Sequence, residues 1–337
     1  MTMMRAARLY EWGKSPVVEE VPIPTLREGE SLVRVDAAAV SHLDLTIASG
    51  SFDLRPDLPY IPGVEGCGVV EASNELPPGT RVLLRGAGLG MVKPGTWAEY
   101  VAVKSKALTE VPANLLPELA ATFFQPATTA QVTLEEVGRL GDWPGVDGAQ
   151  SEVVVVAGAA GAVGSIVAQL ALRAGSRVVG LAEESQRDLV PAGVEFCAHG
   201  DEAAMREMDT ERPATVLIDT VGGDAMPRRM RWVRPGGRAV AVGYVAGTTL
   251  RLDLPSWLLA DVALLPVNMM RRESAARSRG LGLADLFLSG DLTLNTETFG
   301  LEELGRALES LASGRIRGRG VVLPARGSGE PARPRQD

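Results

Sequence analysis

A run of four valines followed at once by three spaced glycines constrains the fold of this chain more than any other feature. The segment is SEVVVVAGAAGAVGSIVAQLALRAG, at residues 151–175. An unbroken β-branched run is typical of a strand that is covered on both faces of a parallel sheet. A buried strand, a tight turn of small residues and a helix, in that order, predict the opening of a doubly wound α/β domain.

The turn itself predicts a dinucleotide site. Gly158, Gly161 and Gly164 allow the backbone to turn sharply and approach a pyrophosphate, whose charge would meet free N–H groups and the positive end of the helix. The spacing is GxxGxxG, looser than the usual GxGxxG, so the pattern alone is weak. The alternative is a tight contact between helix and sheet without a ligand. The order of strand, turn and helix favours a nicotinamide cofactor.

Further strand-like runs continue this domain. Helical or loop segments separate them, and such alternation implies one doubly wound parallel sheet. The last run, VALLPVNMM, suits a sheet edge at which two copies pair, which predicts a homodimer, although a plain core strand explains it equally well. The runs are SRVVGLA at 176–182, ATVLIDTV at 214–221, GRAVAVG at 237–243 and VALLPVNMM at 262–270.

The rest of the chain predicts a second, β-rich domain, and a length of 337 residues suits two domains. Short runs such as SLVRVDAAAV and GCGVVEA, separated by Gly and Pro turns, are typical of a small β-barrel. Apolar residues at helical spacing follow over 115–137, and a final run, RGRGVVLP, is expected to return to the first domain. We predict a first domain at 1–121 completed by 273–326, a cofactor-binding domain at 122–272, and a disordered tail at 327–337.

Composition argues against several classes of function. A formal net charge of −8 opposes nucleic-acid binding unless a local basic patch overrides it. Two cysteines, Cys67 and Cys197, are too few for a disulfide framework and indicate a reducing compartment. The start of the chain lacks the apolar core of a signal peptide, and no apolar run is long enough for a membrane span. We expect a soluble, cytoplasmic protein with no nucleic-acid or membrane partner.

The end of the SRVVGLA run should decide between NADPH and NADH. An acidic residue at this point accepts hydrogen bonds from a free 2′-hydroxyl, whereas a small or basic pocket admits the 2′-phosphate of NADPH. Ala182 occupies the tip, and Ser185 and Arg187 are available to a phosphate. Glu183 and Glu184 argue against this, although a solvated helix start also explains them. NADPH is therefore predicted in preference to NADH.

Five segments together resemble the medium-chain dehydrogenase/reductase superfamily, and within it the zinc-independent, quinone oxidoreductase-like branch. Each segment alone is weak, but the resemblance covers nearly the whole chain. It implies a GroES-like β domain built from both chain ends, a Rossmann domain between them, and a nicotinamide held in the cleft. The segments are PGVEGCGVVEA at 62–72, GTWAEYVAV at 95–103, AGAAGAVGS at 157–165, DTVGG at 219–223 and RPGGRAVAVG at 234–243.

The resemblance also implies which residues contact the cofactor. Some belong to the glycine-rich turn, and others follow the later strands of the parallel sheet. Asn268 corresponds to a loop that reaches the nicotinamide in the family. The other matching positions are Thr128, Ala160, Gly161, Ala162, Val163, Arg187, Val221, Gly222, Val242 and Gly243.

Zinc-dependent members of the superfamily bind their catalytic metal through a cysteine, a histidine in a GHE motif and a later cysteine. Here the first position is Ser41, the GHE stretch reads Gly63-Val64-Glu65, and no third thiol is present. Only His42 and His199 offer imidazoles, so a histidine site lacks ligands. We predict no metal cofactor, and a polar contact near the cofactor ribose or the substrate for His42.

Without a metal, hydride delivery to a quinone, an enone or another α,β-unsaturated carbonyl is easier than ordinary alcohol oxidation. Ser41, Asp44 and Tyr244 are the candidate catalytic residues, with Thr46 and Tyr60 as further donors. Each has a structural alternative: a capping or turn aspartate, a satisfied hydroxyl, or an aromatic pocket wall.

A protein that binds the cofactor with little or no turnover, as a scaffold or regulator, is the alternative function. Ser41 and Thr46 replace the asparagine and tyrosine that are usual in quinone oxidoreductases, and this departure keeps the alternative open. A nucleic-acid-binding role, known among relatives, is a third option that the acidic charge opposes.

Overall fold

The computed structural model describes residues 2–51 and 55–325, with the side chains of 273–279 and 281 excepted. Contacts within the chain divide it into two compact units. Unit 1 comprises Met1–Phe124 and Asn295–Asp337, and unit 2 comprises Gln125–Leu294. The tail predicted at 327–337 lies outside the described residues.

Strands and helices follow one another along the described chain. The strands are β1 (Met3–Arg8), β2 (Val17–Pro22), β3 (Glu30–Val40), β4 (Glu65–Ala72), β5 (Arg81–Arg85), β6 (Tyr100–Lys104), β7 (Leu108–Glu110), β8 (Val153–Ala157), β9 (Arg177–Ala182), β10 (Glu195–Ala198), β11 (Ala214–Asp219), β12 (Val233–Ala241), β13 (Ala263–Pro266), β14 (Thr296–Gly300) and β15 (Arg319–Leu323). The helices are α1 (His42–Ala48), α2 (Pro117–Ala120), α3 (Phe124–Val132), α4 (Ala162–Arg173), α5 (Glu202–Glu211), α6 (Met226–Met230), α7 (Leu254–Ala260), α8 (Met269–Leu288) and α9 (Leu304–Ala312).

Unit 2 is built on a six-stranded parallel sheet with the order β10-β9-β8-β11-β12-β13. The chain enters at the central strand β8, moves outward to β10, and then returns to the other side of β8 through β11. Strand order therefore reverses beside β8, which is where open α/β sheets bind ligands. Val154, Val155 and Val156 are fully buried, as their unbroken apolar run predicts. The predicted doubly wound sheet is confirmed.

Unit 1 contains a seven-stranded sheet. Six of its strands follow the order β14-β15-β3-β4-β5-β7, and the seventh, β6, pairs with β3. β15 pairs antiparallel with β3, so both ends of the chain contribute to this sheet. Trp97 is fully buried in its core, and its indole N–H donates to the carbonyl oxygen of Ala39 at 3.1 Å. Val35 and Val322 pack into the same cluster. The predicted GroES-like β domain is confirmed.

The C-terminal division of the chain differs from the predicted one. The predicted return to the first domain was residue 273, whereas unit 2 continues to Leu294 and includes α8. Gln169 of α4 explains this, because its side chain donates to the Thr293 carbonyl oxygen at 2.9 Å and accepts from the Thr293 N–H at 2.8 Å. Arg173 of α4 also pairs with Asp291 at 3.3 Å. Residue 273, the predicted boundary, lies within α8 of unit 2. The other division, after Phe124, is close to the predicted residue 121.

Two strands of unit 2 extend or refine the sequence prediction. β10, with the sequence EFCA, was not predicted, because four residues of mixed polarity give little periodic signal. β13 forms within the predicted VALLPVNMM run and lies at the edge of the sheet.

None of the helices in the described ranges combines the length and apolarity that a bilayer span requires.

Candidate functional site

The glycine turn, residues 158–161, connects β8 to α4 in unit 2. Gly158 has φ +84°, and a Cβ atom there would lie 2.3 Å from Thr220 Oγ1. A Cβ atom at Gly164 would lie 2.1 Å from the Gly158 carbonyl oxygen. These two glycines are therefore required by the packing of the turn itself.

Gly161 has a different role in the turn. Its backbone is extended, with φ −79°, and it is the N-cap of α4, yet no side chain caps the helix. A Cβ atom at Gly161 would meet only the Gly158 carbonyl oxygen, at 3.3 Å. Gly161 is exposed, whereas Ala160 is buried and Ala162 and Val163 are half-buried. The first turn of α4 thus presents its positive end beside an exposed residue that has no side chain.

The β11 loop, residues 220–223, lies against the glycine turn. Thr220 Oγ1 donates to the Ala157 carbonyl oxygen at 2.8 Å. The Val221 side chain would be 3.1 Å from a Cβ atom at Gly158. Val221 and Gly222, two predicted cofactor contacts, are therefore brought to the glycine turn by a hydrogen bond that closes the gap between β8 and β11.

The β12 loop, residues 242–247, packs on the β11 loop. The Ala246 N–H donates to the Val221 carbonyl oxygen at 2.9 Å, and a Cβ atom at Gly222 would lie 2.7 Å from the Gly243 carbonyl oxygen. The Val242 N–H donates to the Asp219 carbonyl oxygen at 2.8 Å. Three loops at the carboxyl ends of β8, β11 and β12 thus form one contiguous surface.

Asp219, the last residue of β11, organises this surface and was not predicted as a site residue. Its Oδ1 accepts the N–H groups of Val221 at 2.9 Å and Gly222 at 2.8 Å, and its Oδ2 accepts Arg229 Nε at 2.7 Å. Arg229 was also missed. The available signal was an aspartate at the end of an apolar run, in the sequence DTVGG. Aspartate side chains in such turns accept hydrogen bonds from backbone N–H groups that follow them in the chain.

The predicted phosphate-binding residues lie in a 3₁₀ turn, Glu184–Leu189, that follows β9. β9 ends at Ala182, as the sequence indicated. Arg187 makes two hydrogen bonds to Glu184, of 2.7 and 2.9 Å, and its guanidinium carbon lies 3.9 Å from the Phe196 ring centroid. The hydrogen bond from Arg187 also lowers the pKa of Glu184. Ser185 is exposed.

The remaining predicted residues of unit 2 occupy distinct positions. Thr128 is buried in α3, where its hydroxyl donates to the Gln125 carbonyl oxygen at 3.2 Å. Asn268 is the N-cap of α8, with its Oδ1 accepting the Arg271 N–H at 3.1 Å. Tyr244 follows Gly243 in the β12 loop and is 67% exposed. Tyr244 thus presents a solvent-accessible phenol at the carboxyl end of the parallel sheet.

In unit 1, Ser41 and Asp44 form a capping box at the start of α1. Ser41 donates to Asp44 Oδ2 through both its N–H, at 2.9 Å, and its hydroxyl, at 2.5 Å. The Val64 N–H donates to Asp44 Oδ1 at 3.0 Å. Burial raises the pKa of Asp44 to about 6, although these hydrogen bonds act in the opposite direction. Both side chains thus have a structural role, and a contact with substrate stays a prediction.

Other polar residues of unit 1 surround this helix start. The Thr46 hydroxyl donates to the His42 carbonyl oxygen at 2.9 Å, as the satisfied-hydroxyl alternative predicts. His42 is exposed. The Tyr60 hydroxyl is buried and has no hydrogen-bond partner among the residues that the structure describes. Glu65 lies between two cations, 3.3 Å from Arg319 and 3.9 Å from Arg85.

The residues that correspond to zinc ligands in the superfamily do not fit a zinc ion. The Ser41 hydroxyl is a neutral donor to a carboxylate, and Val64 has no ligating atom. Cys67 and Cys197 are both free and buried. Among residues 2–51 and 55–325, no three His, Cys, Asp or Glu side chains are grouped so as to hold a metal ion.

A parallel sheet with a glycine turn at its switch point, together with a separate GroES-like sheet, is typical of nicotinamide-dependent dehydrogenases and reductases. Family profiles agree: "Alcohol dehydrogenase GroES-like domain" matches residues 27–113, and "Zinc-binding dehydrogenase" matches residues 162–279. The chain belongs to the medium-chain dehydrogenase/reductase superfamily, in its quinone oxidoreductase-like branch, as its motifs predicted. It is an NAD(P)H-dependent oxidoreductase.

Several relatives are similar over much of the chain. A zinc-type alcohol dehydrogenase-like protein of Schizosaccharomyces pombe is 34% identical over 65% of this chain and 64% of its own length. A quinone oxidoreductase of Lama guanicoe is 28% identical over 72% and 73%, and a probable acrylyl-CoA reductase of Escherichia coli is 28% identical over 88% and 92%. A crystal structure of an NAD-dependent alcohol dehydrogenase shares the fold, with a TM-score of 0.80 and 23% identity over 96% of this chain and all of the other.

Proposed function

We propose that this chain is a zinc-independent, NADPH-dependent reductase that transfers hydride to a quinone, an enone or another α,β-unsaturated carbonyl compound. The observation that carries the proposal is the contiguous surface of the glycine turn, the β11 loop and the β12 loop. Relatives named quinone oxidoreductase and acrylyl-CoA reductase support the same class of acceptor.

The residues of unit 2 fit a nicotinamide dinucleotide. Gly161 and the first turn of α4 would hold the pyrophosphate, because free N–H groups and the helix dipole favour an anion there. The turn at Ser185 and Arg187 would bind the 2′-phosphate of NADPH. Backbone atoms of the β11 and β12 loops would bind the nicotinamide half. Residues 220–223 and 242–247 contain no acidic side chain, and the neighbouring Asp219 is fully buried.

The bound cofactor supplies the hydride, and the protein must stabilise the charge that develops on the carbonyl oxygen of the acceptor. Tyr244 is the proposed donor, because its phenol is exposed and follows Gly243 directly. The Ser41 hydroxyl is less suited, since it already donates to the buried carboxylate of Asp44. A neutral phenol donor fits conjugated acceptors, in which the negative charge is delocalised and less stabilisation is needed.

Alcohol oxidation through zinc is the competing activity, and the residues at the ligand positions oppose it. Ser41 and Val64 replace a thiolate and an imidazole, so two strong ligands are missing. We expect turnover to be unchanged by a strong chelator and by added zinc. Alcohol oxidation that depends on added zinc would contradict the proposal.

The test is a titration of the purified protein with NADPH and NADH, followed by 1,4-benzoquinone and simple enones while nicotinamide absorbance is monitored. The proposal predicts tighter binding of NADPH and acceptor-dependent oxidation of it. Tyr244→Phe should lower kcat and leave the Kd of NADPH unchanged, with Tyr10→Phe, an exposed tyrosine of unit 1, as control. Binding without turnover across the panel would favour the scaffold or regulatory alternative, and no binding of either cofactor would overturn the proposal.

We further propose that the protein works in the cytoplasm as a homodimer paired through β13. This strand is a sheet edge, and edges with unpaired N–H and C=O groups favour pairing with another strand. Apolar side chains nearby in sequence are exposed on α7: Leu258 is 68% and Leu259 is 85% exposed. Light scattering should give twice the chain mass, and Leu259→Glu should reduce it to one chain. A monomeric wild-type protein would contradict this.

A further inference from the structure

A buried ion pair joins Arg229 to the carboxyl end of β11. The side chain of Arg229 is 3% exposed and that of Asp219 is fully buried, and the Arg229 Nε to Asp219 Oδ2 distance is 2.7 Å. A second nitrogen of Arg229 donates to the Gly222 carbonyl oxygen at 2.8 Å. One guanidinium therefore contacts both the side chain that begins the β11 loop and the backbone within that loop.

Asp219 also binds the backbone of the β11 loop, in addition to Arg229. Its other carboxylate oxygen accepts the N–H groups of Val221 and Gly222, at 2.9 and 2.8 Å. Gly222 is thus held through both its N–H and its carbonyl group. Gly222 has φ +69° and packs tightly against Gly243 of the β12 loop, so a shift of Gly222 displaces the neighbouring loop as well.

A second buried ion pair in unit 2 offers a natural comparison. Arg238 and Glu152 are both fully buried, and Arg238 donates to Glu152 at 2.6 and 2.9 Å. Glu152 immediately precedes β8, and Thr215, near the start of β11, donates its hydroxyl to Glu152. This pair lies at the amino ends of the strands. Thr215, which contacts the second pair, and Asp219 of the first are four positions apart in β11, roughly 13 Å of extended chain.

Stability alone does not explain an arginine at position 229. Burial of an ion pair removes two charges from water, and apolar residues of similar volume often stabilise a core as well or better. What an apolar side chain cannot provide is two directed hydrogen bonds from one planar group. Those bonds fix the backbone of the β11 loop, whereas the Arg238 pair contacts none of the three loops.

We propose that Arg229 is a positioning residue, which acts through Asp219 and Gly222 to hold the β11 loop in the conformation that binds the nicotinamide half of the cofactor. This inference rests on the proposed function, because it assigns the β11 loop to the cofactor. Arg229 is itself buried, and its guanidinium binds Asp219, which precedes the β11 loop, and the Gly222 carbonyl oxygen within it. Its effect on the cofactor is therefore transmitted by the loop backbone.

The test compares Arg229→Lys and Arg229→Met with Arg238→Met in the full-length protein. Lysine keeps the charge but offers a point-like ammonium in place of the planar fork, so both Arg229 variants should release the loop. The Kd of NADPH is measured by fluorescence titration, well below the lowest unfolding midpoint. Hydrogen exchange of the backbone N–H groups of Val221 and Gly222 reports the loop directly. Arg238→Met is the matched control, since it also breaks a buried pair of this sheet.

We expect the Arg229 variants to raise the Kd of NADPH by about 10- to 100-fold, because a small misplacement of a binding loop is sufficient for such a loss. Exchange at Val221 and Gly222 should accelerate in these variants alone. Arg238→Met should lower the unfolding midpoint and change the Kd by less than about twofold.

Three outcomes would overturn the inference. One is Arg229→Lys with wild-type affinity and wild-type exchange, which would show that the ion pair has no influence on the loop. Another is an equal loss of affinity in Arg238→Met, which would show a general effect of destabilisation. The third is a wild-type protein that binds neither NADPH nor NADH, which would overturn the proposed function together with this inference. This outcome differs from the first two, because both of those require that the wild type binds the cofactor.

Discussion

The two units use their candidate functional residues in different ways. In unit 2 the surface proposed for the cofactor is made mainly of backbone: Gly161, the β11 loop and the β12 loop contribute N–H groups, carbonyl groups and small residues. In unit 1 the candidate residues are side chains, and Ser41 and Asp44 direct their polar atoms to each other and to the Val64 N–H. The same sequence reasoning selected both sets.

This difference shows which kind of site can be predicted well from sequence patterns. A backbone site depends on where side chains are absent, and close packing enforces that absence at Gly158 and Gly164. A side-chain site depends on which partners a polar group finds after folding. A serine three residues before an aspartate satisfies a helix start as well as it would a substrate. The comparison predicts that changes in unit 2 affect binding, whereas those at Asp44 affect stability.

The largest expected effect comes from placing a side chain at Gly161. Gly161→Val should raise the Kd of NADPH at least about 100-fold, because the side chain would occupy the approach of the pyrophosphate to α4. The fold should persist, since the backbone of Gly161 is extended and its Cβ atom would meet only one atom, at 3.3 Å. Fluorescence titration and thermal unfolding measure the two effects.

Gly305→Val is the matched control for this prediction. Gly305 lies in α9 of unit 1, and a Cβ atom there would be no closer than 3.8 Å to another residue. It should leave the Kd of NADPH unchanged. An undiminished affinity in Gly161→Val would break the comparison, because the backbone of the glycine turn would then not be the binding surface.

A smaller effect, on stability and not on binding, is expected at Asp44. Its pKa is raised from 3.8 to about 6 by burial, so the folded protein holds this proton more tightly than the unfolded chain. The stabilisation that the Asp44 carboxyl group contributes is therefore fully present below about pH 4. It is lost as the pH rises through 6. At about 1.4 kcal/mol for each tenfold change in acidity, the loss is about 3 kcal/mol by pH 8.

Asp44→Asn removes this titration. Relative to wild type, its free energy of unfolding should therefore increase between pH 4 and pH 8, as urea unfolding at several pH values would measure. Asp142→Asn, which changes a carboxylate of unit 2 that is 82% exposed, is the control and should show no such trend. The comparison would be broken if Asp44→Asn abolished turnover while the pH dependence of stability stayed as in wild type, since Asp44 would then act on the substrate.

Much of the fold was predictable because periodic features set it. The valine run of β8 and the end of β9 at Ala182 follow from apolar patterns and chain order. The apolar pattern of β13 left two positions open, the edge of the sheet and its core, and the structure places it at the edge. The extent of unit 2 was not predictable, because it depends on three hydrogen bonds between Gln169 and Thr293. These residues are distant in sequence, and their contact keeps residues after 272 in this unit. Asp219 and Arg229 were missed for the same reason: their importance lies in contacts made only after folding.

The smallest expected effect concerns the one part of the unit 2 surface that depends on charged side chains. Arg187, the proposed ligand of the 2′-phosphate, is already bound by Glu184 through two hydrogen bonds. A phosphate must therefore compete with that carboxylate. Exposed ion pairs are weak, so Glu184→Gln should lower the Kd of NADPH by about two- to fivefold.

The Kd of NADH should not change in Glu184→Gln, because NADH has no 2′-phosphate for Arg187 to bind. Glu195→Gln is the matched control: it breaks the Arg177 pair of 2.6 Å, equally exposed and on the strands beside this turn, and should leave both affinities as they are. Parallel titrations with the two cofactors give the ratio directly. Equal shifts for NADPH and NADH would mean that Glu184 acts through the net charge of the surface, and Arg187 would then lose its role in selecting the phosphate.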